Sequence, residues 1–136
     1  MISVVTGAPC SGKSTFVSEN ARSGDLIIDM DRLALALTTD DVASHSYSPE
    51  VRSVAIAARA GAVKKALSIG SFTRANVWII HTQPDADDLR SYRLASARMV
   101  EINPGFEVCM KRLEERPRAN RDVVAVAIKK WFRVNE

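Results

Sequence analysis

Gly7-Ala8-Pro9-Cys10-Ser11-Gly12-Lys13-Ser14 has the spacing G-x-x-x-x-G-K-[ST], the spacing of a loop that wraps an anionic phosphate chain. Glycines let the backbone curl until successive N–H groups point at one anion. The start of a helix just beyond adds unpaired donors and a partial positive charge. Lys13 is then in reach of the β- and γ-phosphates of a nucleoside triphosphate, and the Ser14 hydroxyl can sit on Mg²⁺. The flanks agree: Ile2-Ser3-Val4-Val5 reads as a buried strand, and 14–20 as the opening of a helix.

Phosphoryl transfer also needs a group to orient or deprotonate an acceptor, and cations for the charge that develops. Asp29 and Asp31 follow a second apolar run, Leu26-Ile27-Ile28. Asp31 is the preferred base, because it lies past the strand and can face an acceptor; the alternative is a plain helix N-cap before Arg32-Leu33. Arg112 and Arg116 are the candidate cations. Their i, i+4 spacing places both on one helical face ahead of Pro117. A solvated face paired with Glu114 and Glu115 is the competing reading. Arg118 and Arg121 extend the basic cluster.

These residues need a scaffold, and strand and helix signals alternate through the chain. After the helix from 13 to about 21, Ser23-Gly24-Asp25 makes a turn. A short helix is expected at 33–37 and a polar loop at 38–48. Ser48-Pro49-Glu50 is a strong helix start, with Val51, Ala55, Ala58, Ala62, Ala66 and Ile69 along one side. Val77-Trp78-Ile79-Ile80 is the third strand, followed by a helix opened by Pro84-Asp85 and reaching about 97. The fourth strand is expected at 98–102, then helices at 106–115 and from 120 to about 133. Val124, Ile128 and Trp131 recur at core-packing intervals in the last. Such alternation implies a parallel sheet covered on both faces, with ligands at the carboxyl ends of its strands. The phosphate loop, the acids at 29–31 and His81-Thr82 all fall at such ends.

Composition sets outer limits. A chain of 136 residues, 46% hydrophobic, suits one domain spanning 1–136. No apolar run approaches about 18 residues, which excludes a helical membrane span, and the chain opens on a strand rather than a secretion signal. Cys10 and Cys109 lack metal-binding spacing and read as free thiols of a cytoplasmic protein. The net charge of +3 mildly favours anionic partners.

The runs Gly7-Ala8-Pro9-Cys10-Ser11-Gly12-Lys13-Ser14-Thr15-Phe16, Asp29-Met30-Asp31 and Lys111-Arg112-Leu113-Glu114-Glu115-Arg116 resemble the kinase domain of bacteriophage polynucleotide 5′-kinases. More broadly, the chain resembles small P-loop kinases of the zeta-toxin type, many of them phage-encoded. The resemblance implies a three-layer α/β/α P-loop NTPase fold with strand order 2-3-1-4 and a C-terminal helical lid. It implies ATP and Mg²⁺ as cofactors, with Gly7, Ala8, Pro9, Cys10, Ser11, Gly12, Lys13, Ser14 and Thr15 at the donor phosphates. Asp31 becomes the base, Arg112 and Arg116 the lid arginines, and the host cytoplasm the setting.

Two departures stand out. The resembled pattern has an arginine three residues after its catalytic aspartate, where this chain has Ala34, and Arg32 would point elsewhere on a helix. The third strand there ends in an acid, where this chain has His81; Asp29, water or a neutral imidazole would have to substitute.

For the acceptor, His45, Tyr47, Arg52 and Arg59 are candidates to line a pocket for a nucleotide phosphate and a stacked base. The competing reading is an exposed polar helix face. Arg90 and Arg93 are equally open. Three functions follow from these residues: a kinase acting on a hydroxyl of nucleic acid or nucleotide, a small-metabolite or nucleoside kinase, and a non-transferring nucleotide sensor. Because Cys10 lies inside the loop, its alkylation should block triphosphate binding, and ATP·Mg²⁺ should slow the labelling; equal labelling rates with and without nucleotide would rule this out.

Overall fold

The computed structural model describes residues 1–69, 74–116 and 120–135. In chain order they form β1 (Ile2–Thr6), α1 (Lys13–Asn20), β2 (Leu26–Ile28), α2 (Met30–Ala36), α3 (Pro49–Ile69), β3 (Val77–Ile80), α4 (Ala86–Leu94), β4 (Arg98–Glu101), α5 (Phe106–Glu115) and α6 (Arg121–Val134). Among the described residues the strands make one four-stranded sheet in the order β2-β3-β1-β4. All its pairings are parallel: Val4 faces Ile79 and Met99, and Ile28 also faces Ile79. The order and the α/β P-loop NTPase-like architecture are those the sequence led us to expect.

Alternating side chains on the two central strands supply the core on both faces. Ile2, Val4, Val77 and Ile79 point to one side, where they meet Ala66 of α3 and Tyr92 of α4. Val5, Trp78 and Ile80 point to the other and meet Val17 of α1. A third cluster joins Ala8 of the phosphate loop to Cys109 and Leu113 of α5 and to Val124, Ile128 and Trp131 of α6. The apolar spacing read along the last helix is therefore core. Edge strands are more open: Leu26 on β2 and Met99 on β4 are exposed.

Several boundaries differ from the reading of the sequence, each for a local reason. The second helix begins at Met30, not near 33, because Asp29 takes the N-cap position and accepts from the Asp31 N–H at 3.4 Å. Asp31 thus lies in the first helical turn, and the cap role considered for it belongs to Asp29. Helix α4 stops at Leu94 rather than about 97, since Ala95 caps it and Ser96 turns to φ 55°. Its start is a full capping box between Asp85 and Asp88. The strong start at Ser48-Pro49-Glu50 is realised, with the Ser48 hydroxyl accepting from the Val51 N–H at 3.2 Å. Ile69, on the apolar side by periodicity, is exposed at the end of α3. Pro117 and Arg118 lie outside the described residues.

Among the described residues no helix is long and apolar enough to cross a membrane. Ile79 is fully buried at the centre of the sheet, whereas Leu94 is 82% exposed. Ile79→Ala should therefore cost about 2–5 kcal/mol in urea unfolding, and Leu94→Ala should stay within about 0.5 kcal/mol of the parent.

Candidate functional site

Parallel strands put the carboxyl ends of β1, β2 and β3 on one edge of the sheet, and each end leads into residues singled out for chemistry. Past β1, the backbone enters unusual conformations at Gly7 (φ 152°), Cys10 (φ 64°) and Gly12 (φ 100°). Gly7 is obligatory for a second reason. A Cβ there would lie 2.4 Å from the Ile102 carbonyl oxygen and 2.6 Å from Ser11 Oγ. Gly12 then caps α1 in a left-handed conformation without any side-chain bond, so the first N–H groups of α1 face the loop.

Lys13 is buried inside this curl, and its Nζ donates to the Gly7 and Ala8 carbonyls, both at 2.8 Å. Burial lowers its pKa from 10.5 to about 8; the carboxylates of Asp29 and Asp31 pull the other way but do not prevail. Neutral carbonyls are weak partners for a buried ammonium. Ser11 Oγ is also buried, with no hydrogen-bond partner among the described residues. An orphaned hydroxyl, an under-matched ammonium and a curl of backbone donors fit a phosphate chain. Ser14 and Thr15 are exposed on the first turn of α1, while Pro9 and Cys10 are half-buried on the loop and Ala8 anchors it in the core.

The arginine pair does not share a helical face. Arg112 turns back onto the loop, donating from Nη1 to the Cys10 carbonyl at 3.2 Å. Helix α5 ends at Glu115, and Arg116 follows as an exposed C-cap with extended backbone (φ −102°, ψ 131°). Its carbonyl accepts from Arg121 Nη2 at 3.1 Å. The i, i+4 argument fails because the second arginine is already outside the helix.

At the end of β2, which β3 separates from β1, Asp29 is buried and Asp31 is half-buried. Burial, followed by the neighbouring Asp31 carboxylate, holds the Asp29 carboxyl above the usual carboxylate range. Asp31 Oδ1 accepts a hydrogen bond from the Tyr47 hydroxyl and lies 3.4 Å from His45 Nδ1. Arg52, exposed on the first turns of α3, adds positive charge near the Tyr47 phenol. Arg32 is exposed, and Ala34 is buried in α2.

Arg59 goes elsewhere: its Nη2 donates to the Ile80 carbonyl at 3.0 Å, at the end of β3. His81 turns toward α4, with Nδ1 2.7 Å from the Tyr92 hydroxyl and Nε2 3.6 Å from Asp88 Oδ2. Burial and the nearby Arg59 lower its pKa, which favours the neutral imidazole. The partners of its ring are thus side chains of α4. Arg90 pairs at the surface with Asp87 at 3.5 Å, and Arg93 is exposed in the last turn of α4.

Some members of the site carry no signal in the sequence. The Ile102 carbonyl closing over Gly7 is one. The Thr82 carbonyl is another, accepting from Trp131 Nε1 at 2.9 Å and from the Gly7 N–H at 3.5 Å. Main-chain atoms have no residue type to betray them. Among the described residues no group of three or more His, Cys, Asp or Glu is arranged to hold a metal ion. A phosphate-bound Mg²⁺ does not require one, since it takes one or two protein ligands plus phosphates and water.

Residues 2–135 match the family described as AAA domain. The chain belongs to that family. Among solved structures, a chain of the Pnkp1/Rnl/Hen1 RNA repair complex is similar to this AAA domain with a TM-score of 0.65 and 19% sequence identity. The match covers 98% of this chain but only 44% of that one. No curated protein sequence matches.

The lowered pKa of Lys13 gives the site a pH signature. Triphosphate binding favours the ammonium, so above pH about 8 the free protein must take up a proton to bind, and affinity should fall by up to about tenfold per pH unit. Between about 8 and 10.5 the unfolded chain holds the extra proton, so the Lys13 contribution to stability rises with pH. Nucleotide titrations and urea unfolding from pH 7 to 10 should show both trends, and Lys13→Met should remove both.

Proposed function

We propose that this AAA domain is an ATP-dependent phosphotransferase that moves the γ-phosphoryl group to a hydroxyl of a nucleic acid or nucleotide. The observation that carries the reading is the pairing of a phosphate-shaped loop around Lys13 with a half-buried carboxylate, Asp31, two strands away at the same carboxyl end of the sheet. In this reading the loop N–H groups and Lys13 hold the donor phosphates. Asp31 accepts the proton of the acceptor hydroxyl as its oxygen bonds to phosphorus and the bond to ADP breaks. Arg112, already on the Cys10 carbonyl, and Arg116 supply positive charge where it develops. Mg²⁺ would neutralise phosphate oxygens when bound; the Ser14 hydroxyl and the Asp29 carboxylate are the groups available to it.

Nucleic acid is favoured as acceptor by the similar chain from an RNA repair complex and by the net charge of +3. A small-metabolite or nucleoside acceptor uses the same donor machinery. A non-transferring sensor is the second reading, motivated by His81, whose ring at the end of β3 is engaged with Tyr92 and Asp88.

Transfer of labelled γ-phosphate to DNA, RNA and nucleosides separates the acceptors. Asp31→Asn should lower transfer by about 10²–10⁴-fold with ATP affinity retained; a sensor would show no transfer in either form and unchanged binding.

A further inference from the structure

The environment of Asp31 suggests more than a base. Its Oδ1 accepts a hydrogen bond from the Tyr47 hydroxyl and stands 3.4 Å from His45 Nδ1. Both partners come from the segment 38–48, which joins α2 to α3, two helices that pack on each other. His45 adopts φ 66°, a conformation a non-glycine residue keeps only when its surroundings hold it there. Tyr47 also lies 3.7 Å from Met30 Sδ. The segment is therefore fastened onto the carboxylate by two side chains.

We propose that Tyr47 is a specificity-determining residue: its hydroxyl occupies the acceptor's place at Asp31 Oδ1 and keeps water from that oxygen until a substrate alcohol takes its place. This rests on the reading of Asp31 as the base. A carboxylate that deprotonates an alcohol must first accept that alcohol's O–H hydrogen bond. Tyr47 makes a bond of the same kind, O–H to carboxylate, so phenol, substrate and water compete at Oδ1, the oxygen that faces Tyr47. A tyrosine hydroxyl is already protonated at neutral pH, and burial, reinforced by Asp31 itself, raises its pKa further, so it remains a donor. A kinase with nucleotide bound and an open base would transfer phosphate to water, and excluding that side reaction is a general demand on such sites. A substrate with further contacts can displace the phenol, whereas a lone water has only the one bond to offer in exchange.

The test is Tyr47→Phe, which keeps the ring and deletes the hydroxyl, assayed for ATP hydrolysis without acceptor and for transfer to a 5′-hydroxyl oligonucleotide and to nucleosides. The ratio of hydrolysis to transfer should rise about tenfold or more, the scale of one charge-assisted hydrogen bond, and the acceptor KM should fall. The added hydrolysis should vanish in the Tyr47→Phe, Asp31→Asn double variant. His45→Gly, which removes the imidazole and relaxes the backbone, should move the ratio the same way and serves if the phenylalanine variant folds poorly. A raised acceptor KM with unchanged hydrolysis would make Tyr47 an ordinary binding residue and overturn the proposal. So would a parallel loss of both activities with a lowered Tm, or labelled phosphate appearing on Tyr47 itself. Normal transfer with an unchanged ratio defeats only this inference; no transfer by the parent protein to any acceptor, with nucleotide bound, defeats the kinase reading as well.

Discussion

A buried ammonium that the protein's own carboxylates do not neutralise is the constraint on which the site depends. Two opposing effects act on Lys13, and burial prevails over the attraction of Asp29 and Asp31, taking its pKa from 10.5 to about 8. Had either carboxylate closed onto the amine, the pair would satisfy itself and an incoming anion would have to break it. Instead, the strand order holds the acids apart from the lysine, because β3 lies between β1 and β2. At about 4.8 Å per strand, the acids start two strands from the loop and still bias the amine electrostatically. Lys13 turns to two loop carbonyls, which are acceptors without charge.

Holding that arrangement requires a loop with little freedom, and contacts from distant parts of the chain supply the restraint. Ile102, beyond β4, presses its carbonyl toward Gly7 so closely that no side chain fits. Arg112 holds the Cys10 carbonyl, and Ala8 is buried with α5 and α6. The C-terminal helices thus serve as the third wall of the phosphate loop. The same hydrophobic burial that stabilises the fold sets the loop's backbone, so fold and anion site are not separable here.

The acceptor side is built differently. Asp29, buried and capping α2, is structural in its hydrogen bonding and electrostatic in its effect on Lys13. Asp31, one half-turn on, is half-buried and meets the segment 38–48 through Tyr47 and His45. Two carboxylates two residues apart therefore have separate environments, and separate environments are what allow separate roles.

The sequence by itself determined the alternation of strands and helices, the sheet order implied by its resemblance, and the identity of the phosphate loop. The alternation and the loop depend on local spacing: short continuous apolar runs, a proline-led helix start at Pro49, and glycines where the backbone must turn; the sheet order rests on the resemblance alone. Boundaries set by competing caps were less legible, as with Asp29 taking the cap that was the alternative role for Asp31. The helix end expected at 115 is realised, and it leaves Arg116 beyond the helix, where the i, i+4 argument for the arginine pair no longer applies. Only the tertiary structure decided which side chains meet: Tyr47 on Asp31, Arg59 on the end of β3, His81 on Tyr92, and the Ile102 carbonyl over Gly7. Those contacts join residues brought together by strand pairing and helix packing, and no local pattern of residue types encodes where a distant main-chain oxygen will lie.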